Sequence, residues 1–380
     1  MKIVINQDKL INSIQNVTKA ISSKTAIPIL AGLKIQADHE GVTLTGSNSD
    51  ITIESFIPKE EEGIQYIDEL IPGEIIVHAS YFPDIIRKLP SETVEIEVDE
   101  QLQVTIRSGN SEFDLNGQDA EEYPQLPKIQ TDSTFELPIN LLKHMIKQTV
   151  FAVSTSETRP ILTGVNLKVE NNELHFIATD SHRLAASKLP LSIDQEKFPF
   201  EQIVIPGKSL NELNKILDET DETIQISVTD NQIIFQTEHL FFLSRLLDGK
   251  YPETSRLIPE ESKTIIYAQT KNLLQAVDRA SLLARENHNN VIQLQTIDDK
   301  TIEVTSNSPE IGKVEEDVTI NQIDGEELKI SFSSKYMIDA LKIMDTEQVK
   351  IEFTGAMRPF IIKPTDHDQL LQLILPVRTF

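Results

Sequence analysis

The sequence predicts an α+β chain of three similar domains, each with two helices packed on antiparallel sheets. Two observations carry this. Residues 159–189 have a counterpart 132 residues earlier: Pro28-Ile29-Leu30-Ala31-Gly32 matches Pro160-Ile161-Leu162-Thr163-Gly164, and Thr45-Gly46-Ser47-Asn48 lies in register with Ile177-Ala178-Thr179-Asp180. An offset that stays constant over a whole hairpin is a repeat, and a period this long repeats domains rather than solenoid units. The order strand, helix, strands, strand, helix, strands also runs through the chain three times. Tight turns between neighbouring strands imply antiparallel sheets with helices gathered on one face. The repeats divide the chain at 1–128, 129–256 and 257–380.

In chain order, residues 2–5 read as a strand, and Asn6 or Asp8 can cap a helix through Ala20. Leu10, Ile11, Ile14, Val17 and Ile21 give that helix one apolar face. A hairpin at 26–57 turns at Asp38-His39-Glu40-Gly41, and Glu60-Glu61-Glu62-Gly63 reads as a solvated loop. A strand at 74–77 and a short helix at 81–89 precede three alternating segments, 94–98, 102–107 and 111–115. The unit closes on Tyr123-Pro124-Gln125-Leu126-Pro127. The second round repeats this: a strand at 134–137, a helix capped by Asn140 with Leu141, Leu142, Met145, Ile146 and Val150 inward, and a hairpin turning at Asn171-Asn172. In that hairpin the apolar run Ile161, Leu162, Val165, Leu167, Val169 predicts a strand after Pro160. A strand at 200–205, a helix at 208–217 and three strands lead to Tyr251-Pro252. The third round has strands at 264–268, 291–296, 301–306 and 328–332, helices at 271–284 and 334–343, and closing strands.

Composition bounds the chemistry. The 380 residues suit two or three domains with cores of their own, and 39% hydrophobic with 25% charged residues is ordinary for a soluble globular chain. Cysteine is absent, which excludes disulfides, zinc knuckles and thiol nucleophiles. The first residues lack a signal-peptide core and no run is long enough to span a bilayer, so the expectation is a cytoplasmic protein that does not meet a membrane.

The net charge of −25 argues at first sight against nucleic acid. Its distribution reverses the argument: the six predicted helices, the fifth counted through Arg285, together carry +8, leaving −33 on the rest. Lys143 and Lys147 lie one turn apart opposite Leu142, Met145 and Ile146, and Arg279 lies opposite Leu273 and Val277. Lys and Arg also serve simply as helix formers on solvated faces. A basic helical face on an acidic body nevertheless suits a protein that meets DNA without reading its sequence.

The segments TRPILTGVNL, ATDSHRLAASKLP, DGKYPE and the terminal LPVRTF, in this order across the whole chain, resemble the bacterial sliding-clamp family, the beta subunits of DNA polymerase III. That resemblance implies a head-to-tail homodimeric ring of six similar domains, with helices lining a central hole and sheets outside. Such a ring encircles duplex DNA irrespective of sequence. It receives replicative and other DNA polymerases, the clamp loader and repair proteins through short peptide motifs, and uses no cofactor or metal. Twelve helices packed ~9 Å apart trace a circle ~110 Å around and roughly 35 Å across. Subtracting a helix diameter of ~10 Å leaves ~25 Å, enough for a hydrated duplex.

By the same resemblance, the peptide pocket comprises Leu162, Thr179, Ser181, His182, Arg183, Leu184, Pro252 and Leu257, with Met357, Pro359, Leu373, Leu375, Pro376, Val377 and Arg378. Aliphatic walls with a few polar groups suit a peptide groove. Many relatives have glycine in place of Ser181, and the Thr379-Phe380 tail extends past the pocket segment. The positions matching the family's DNA contacts are Lys24, Arg87, Lys88, Lys208 and Arg256, with Ser156 and Arg159 nearby; Lys143, Lys147 and Arg279 join them from helix phase alone. Asp180-Ser181-His182 is not read as catalytic, because adjacent strand residues point to opposite faces and cannot form a nucleophile–base relay. No phosphate-binding glycine loop, EF-hand or HExxH spacing occurs. The competing reading is a peptide-binding scaffold that never touches DNA, its basic face meeting an acidic protein. Native mass together with retention on circular but not linear DNA separates the two.

Overall fold

The computed structural model describes residues 1–22, 24–124, 134–191, 200–220, 222–284, 290–308 and 310–378. Gln125, Leu126 and Pro127 of the expected closure, and the Thr379-Phe380 tail, lie outside these. Among the described residues there are six α-helices: α1 Gln7–Val17, α2 Phe82–Lys88, α3 Ile139–Thr149, α4 Gly207–Ile216, α5 Thr270–Ala284 and α6 Ser334–Lys342. None is long and apolar enough to cross a membrane. The backbone groups into two compact units, residues 1–140 with 215–246, and residues 141–214 with 247–380.

The first unit holds two large sheets. One has five strands in the order Ser111–Asn116, Gln103–Ser108, Thr93–Val98, Lys2–Asn6, Ile67–Ile71. The other has eight: Thr134–Pro138, Thr223–Val228, Gln232–Gln236, Leu240–Arg245, Ile51–Pro58, Gly41–Ser47, Gly32–Ala37, Gly73–His78. The Asn6 side chain accepts from Lys9 N at 3.1 Å and caps α1, whose Leu10, Ile14 and Val17 are buried. An N-cap of this kind contributes about 1 kcal/mol. Burial of each large aliphatic side chain adds roughly 1.5–3 kcal/mol.

The second unit repeats the design. Its nine-stranded sheet runs Gln202–Pro206, Gly164–Glu170, Glu173–Thr179, Arg183–Pro190, Leu370–Ile374, Phe360–Pro364, Gln348–Phe353, Thr264–Gln269, Gln322–Gly325. A four-stranded sheet runs Gly312–Thr319, Thr301–Ser308, Val291–Thr296, Lys329–Ser333. On α5, Leu273, Ala276, Val277, Ala280 and Ala284 are buried against Ile292, Leu294, Ile302 and Val304 of that sheet.

Four expectations change. Pro160–Thr163 and Pro28–Ala31 are 3-10 turns, and the strands begin only at Gly164 and Gly32. Proline at the first position presets the turn but cannot donate to a ladder. The acidic run at 60–63 forms a two-stranded hairpin, Glu60–Glu61 with Ile64–Gln65. Its Glu61 meets His239 Nε2 at 2.5 Å and Lys9 Nζ at 3.5 Å. Strands Ile67–Ile71, Gly312–Thr319 and Gln322–Gly325 were not expected at all. Leu141, expected inward, is 38% exposed.

Candidate peptide groove and basic helices

Several of the expected groove residues meet at one end of the nine-stranded sheet. Arg183 lies opposite Ile374, which lies opposite Phe360, and Leu184 lies opposite Leu373. Past the strand ends, Leu375 N donates to His182 O at 3.0 Å. Leu162 packs with Val204 and Tyr251 in a small apolar cluster. The Tyr251 hydroxyl accepts from Thr179 N at 3.1 Å, which places Pro252 beside the turn. Burial pushes the Tyr251 phenol above its ordinary range, so it stays neutral there. Leu162, Thr179, Leu184 and Leu373 are buried, while Pro252, Pro359, Leu375, Pro376 and Val377 are half-buried. Ser181, His182, Leu257, Met357 and Arg378 are exposed; Leu257 and Met357, at 48% and 53%, offer apolar surface to solvent.

The turn at 179–183 is held by its own polar atoms. The Asp180 carboxylate accepts from His182 N at 2.9 Å and from Arg183 N at 3.0 Å. The Thr179 hydroxyl donates to Arg183 O at 2.6 Å and accepts from Ser181 N at 3.2 Å. Asp180 is therefore a turn cap with its oxygens occupied. Ser181 sits at φ +78°, in the left-handed region. Glycine would suit this position for a physical reason: a Cβ is strained there.

Arg183, expected among the pocket residues, has a buried side chain. Its Nε donates to Asp180 Oδ2 at 3.1 Å, Nη1 to Asp339 Oδ2 at 2.7 Å and Nη2 to Phe151 O at 2.7 Å. The guanidinium also lies over the rings of Tyr336 and Phe151, at 4.6 and 5.1 Å. It ties the turn to α6 and to the end of α3. Sequence reasoning missed Asp339 and Tyr336, since nothing in their spacing announces a partner 156 residues away.

The basic positions divide. Lys24, Arg87, Lys88, Lys147, Ser156, Arg159, Lys208 and Arg256 are exposed. Arg87 pairs with Asp84 at 3.1 Å, and Arg159 Nη1 donates to Ser181 Oγ at 3.4 Å. Lys143 does not lie on an exposed face: it is 8% exposed, and its ammonium donates to Asn214 O of α4 at 2.9 Å. Helix phase located the apolar stripe of α3 but not how far the neighbouring α4 extends the covered arc. Arg279 is exposed but forked onto the Glu316 carboxylate, which leaves it little net field.

Sequence patterns of the DNA polymerase III beta subunit match the chain in three parts: the N-terminal domain at residues 1–127, the central domain at 136–253 and the C-terminal domain at 255–378. The chain is 55% identical to the beta sliding clamp of Bacillus subtilis and 53% identical to that of Halalkalibacterium halodurans, each over 380 residues and all of both chains. Among solved structures, it superposes on the DNA polymerase sliding clamp of Bacillus subtilis with a TM-score of 0.96 at 55% identity. For the DNA polymerase III beta chain of Streptococcus pneumoniae the TM-score is 0.94 at 41% identity, and both comparisons cover all of each chain.

Proposed function

The chain belongs to the DNA polymerase III beta-subunit family, a three-domain fold acting as a non-catalytic sliding clamp, and on that premise we propose that two copies close head to tail around duplex DNA. The observation that supports closure is a matched pair of open strand edges. In each unit the long sheet is joined by one antiparallel pair: Ile51–Pro58 with Leu240–Arg245, and Arg183–Pro190 with Leu370–Ile374. Both pairs join the third strand of one half-domain to the third strand of the next domain's second half. The register is the same as well, with Ile53 opposite Phe242 and Ala185 opposite Gln372. Two third strands, Ser111–Asn116 and Gly312–Thr319, remain at sheet edges.

The ladders can be counted outward from the residues preceding the helices, Asn6 with Pro138 and Pro206 with Ser333. This puts Phe113 in the place of Phe242 and Val314 in the place of Ala185. The same register between two copies sets Val314 opposite Phe113, an apolar pair, and Lys313 opposite Asp114, an ion pair. Phe113 is 40% exposed within the single chain. Unpaired edges of this kind are a liability that pairing removes, and a heterologous contact that closes makes a ring.

In the ring, the three domains are residues 1–128, 129–256 and 257–380, with α1 to α6 toward the hole. DNA is held without base readout by exposed Lys24, Arg87, Lys88, Lys147, Lys208 and Arg256, so binding is weak and salt-sensitive. The groove around Leu162, Leu184, Pro252, Leu257, Met357 and Leu375 receives short peptide motifs of polymerases, the clamp loader and repair proteins in the cytoplasm. Because the chain lacks cysteine, Phe113→Cys with Val314→Cys tests the ring directly. A short bis-maleimide should give covalent dimers that stay on nicked circular DNA through denaturant and slip from linear DNA. Folded double variants that never cross-link between chains would refute the ring.

A further inference from the structure

The first unit contains a cavity of about 230 Å³ lined by Ser47, Asn48, Asp50, Thr52, Gln232 and Arg245, among others, with Pro124 and Leu243 supplying apolar wall. The ladder registers give each of these a counterpart in the expected peptide groove or in the turn beside it. Ser47 answers to Thr179, Asn48 to Asp180, Asp50 to His182 and Thr52 to Leu184. Across the junction, Gln232 answers to Pro359, Leu243 to Leu373 and Arg245 to Leu375, and Pro124 answers to Pro252.

The backbone is built alike. Asn48 Oδ1 accepts from Asp50 N at 2.8 Å and from Ile51 N at 2.9 Å, as Asp180 accepts from His182 N and Arg183 N. Arg245 N donates to Asp50 O at 2.9 Å, as Leu375 N donates to His182 O. The repeat has kept the concavity and changed its chemistry. Two aliphatic walls, Leu184 and Leu375, are replaced by Thr52 and Arg245. The Arg245 guanidinium and the Asp50 carboxylate are both exposed, line one cavity, and pair neither with each other nor with another charged side chain among the described residues.

We propose that this cavity is a second peptide site, one that takes a polar segment instead of an aliphatic one. A carboxylate of the segment meets Arg245, and an amide or ammonium donor meets Asp50. Arg–carboxylate recognition is directional and often bidentate, which gives the site a selectivity that the apolar groove lacks. A hydrophobic anchor is excluded, because it would leave the guanidinium and the Gln232 amide desolvated and unpaired. The inference rests on the groove reading for its peptide class; its own geometry is independent of that reading.

The test uses the full chain with a single fluorine label on Asp230→Cys, beside the cavity in sequence and unique because no other cysteine exists. The probe is the capped tetrapeptide acetyl-Ser-Gln-Glu-Ser-amide. A saturable ¹⁹F shift with a Kd of about 1 mM or tighter is expected. Arg245→Leu should weaken it by at least about tenfold, as befits loss of a charge-assisted pair. The shift should persist when a polymerase-derived peptide saturates the other groove. Absence of a saturable shift, indifference to Arg245→Leu, or displacement by the polymerase-derived peptide would each overturn the proposal. Failure of the polymerase-derived peptide to bind anywhere would instead count against the groove reading, and the probe's shift would still decide the second site.

Discussion

Replacing Arg183 by Met keeps most of the aliphatic stem and removes the guanidinium. Three acceptors then lose their donor: Asp180 Oδ2, Asp339 Oδ2 and Phe151 O. Breaking a buried charge pair costs about 3–5 kcal/mol. Asp339 is 29% exposed and can rehydrate, so the lower end of that range, about 3 kcal/mol, is expected. The turn itself should survive, because the first repeat builds the same Asn48 turn with Ile51 where Arg183 stands. The loss should instead fall on the tie to α6. About 3 kcal/mol corresponds to roughly a hundredfold faster amide hydrogen exchange wherever local opening governs it. Exchange measured by mass spectrometry should therefore rise in α6 and at the end of α3, with α1 of the other unit unchanged as the internal control. Unchanged exchange in α6 would show that the guanidinium is spectator packing and refute this account. Asp339→Asn should cost less, since its amide oxygen can still accept from Nη1.

Ser181→Gly should relieve the φ of +78° and stabilise the chain by about 0.5–1 kcal/mol, read from urea denaturation; a destabilised variant would show that the Ser181 hydroxyl's bond with Arg159 outweighs backbone strain. Lys147→Glu, at an exposed position, should lower retention on DNA at low salt and cost less stability than Lys143→Glu, which should destabilise by about 2–3 kcal/mol, because it sets a carboxylate against the Asn214 carbonyl. Equal melting temperatures for the two variants would contradict the burial of Lys143. Glu61 has its pKa lowered mainly by the hydrogen bond from His239. A depressed carboxylate contributes stability that is present above its unfolded pKa and lost as pH falls through the folded one. Stability should thus drop on acidification below about pH 4.5, and His239→Gln should shrink that drop; an unchanged acid limb would remove Glu61 from the account.

Much of this molecule was legible in one dimension because local rules act within a few residues. The amphipathic faces of α1 and α5, the Asn171-Asn172 turn, and the internal repeat follow from side-chain period and turn chemistry alone. The repeat even carried the turn at Asn48 and Asp180 in matching register. Other features needed partners distant in sequence. Gly312–Thr319 alternates Lys313, Glu315 and Asp317 with Val314, Glu316 and Val318, a charged pattern that reads as loop until it is seen pairing with Thr301–Ser308 at a sheet edge. Lys143 and Arg279 had the right phase for solvent, yet α4 covers one and Glu316 neutralises the other. Arg183, read from the sequence as a groove residue, also ties the turn to two other elements, because its acceptors are far apart in sequence. Sequence period determines which face of an element is apolar. The width of the covered arc, the strands left at an edge and the charges left uncompensated depend on which elements pack beside it, and only the tertiary structure decided those.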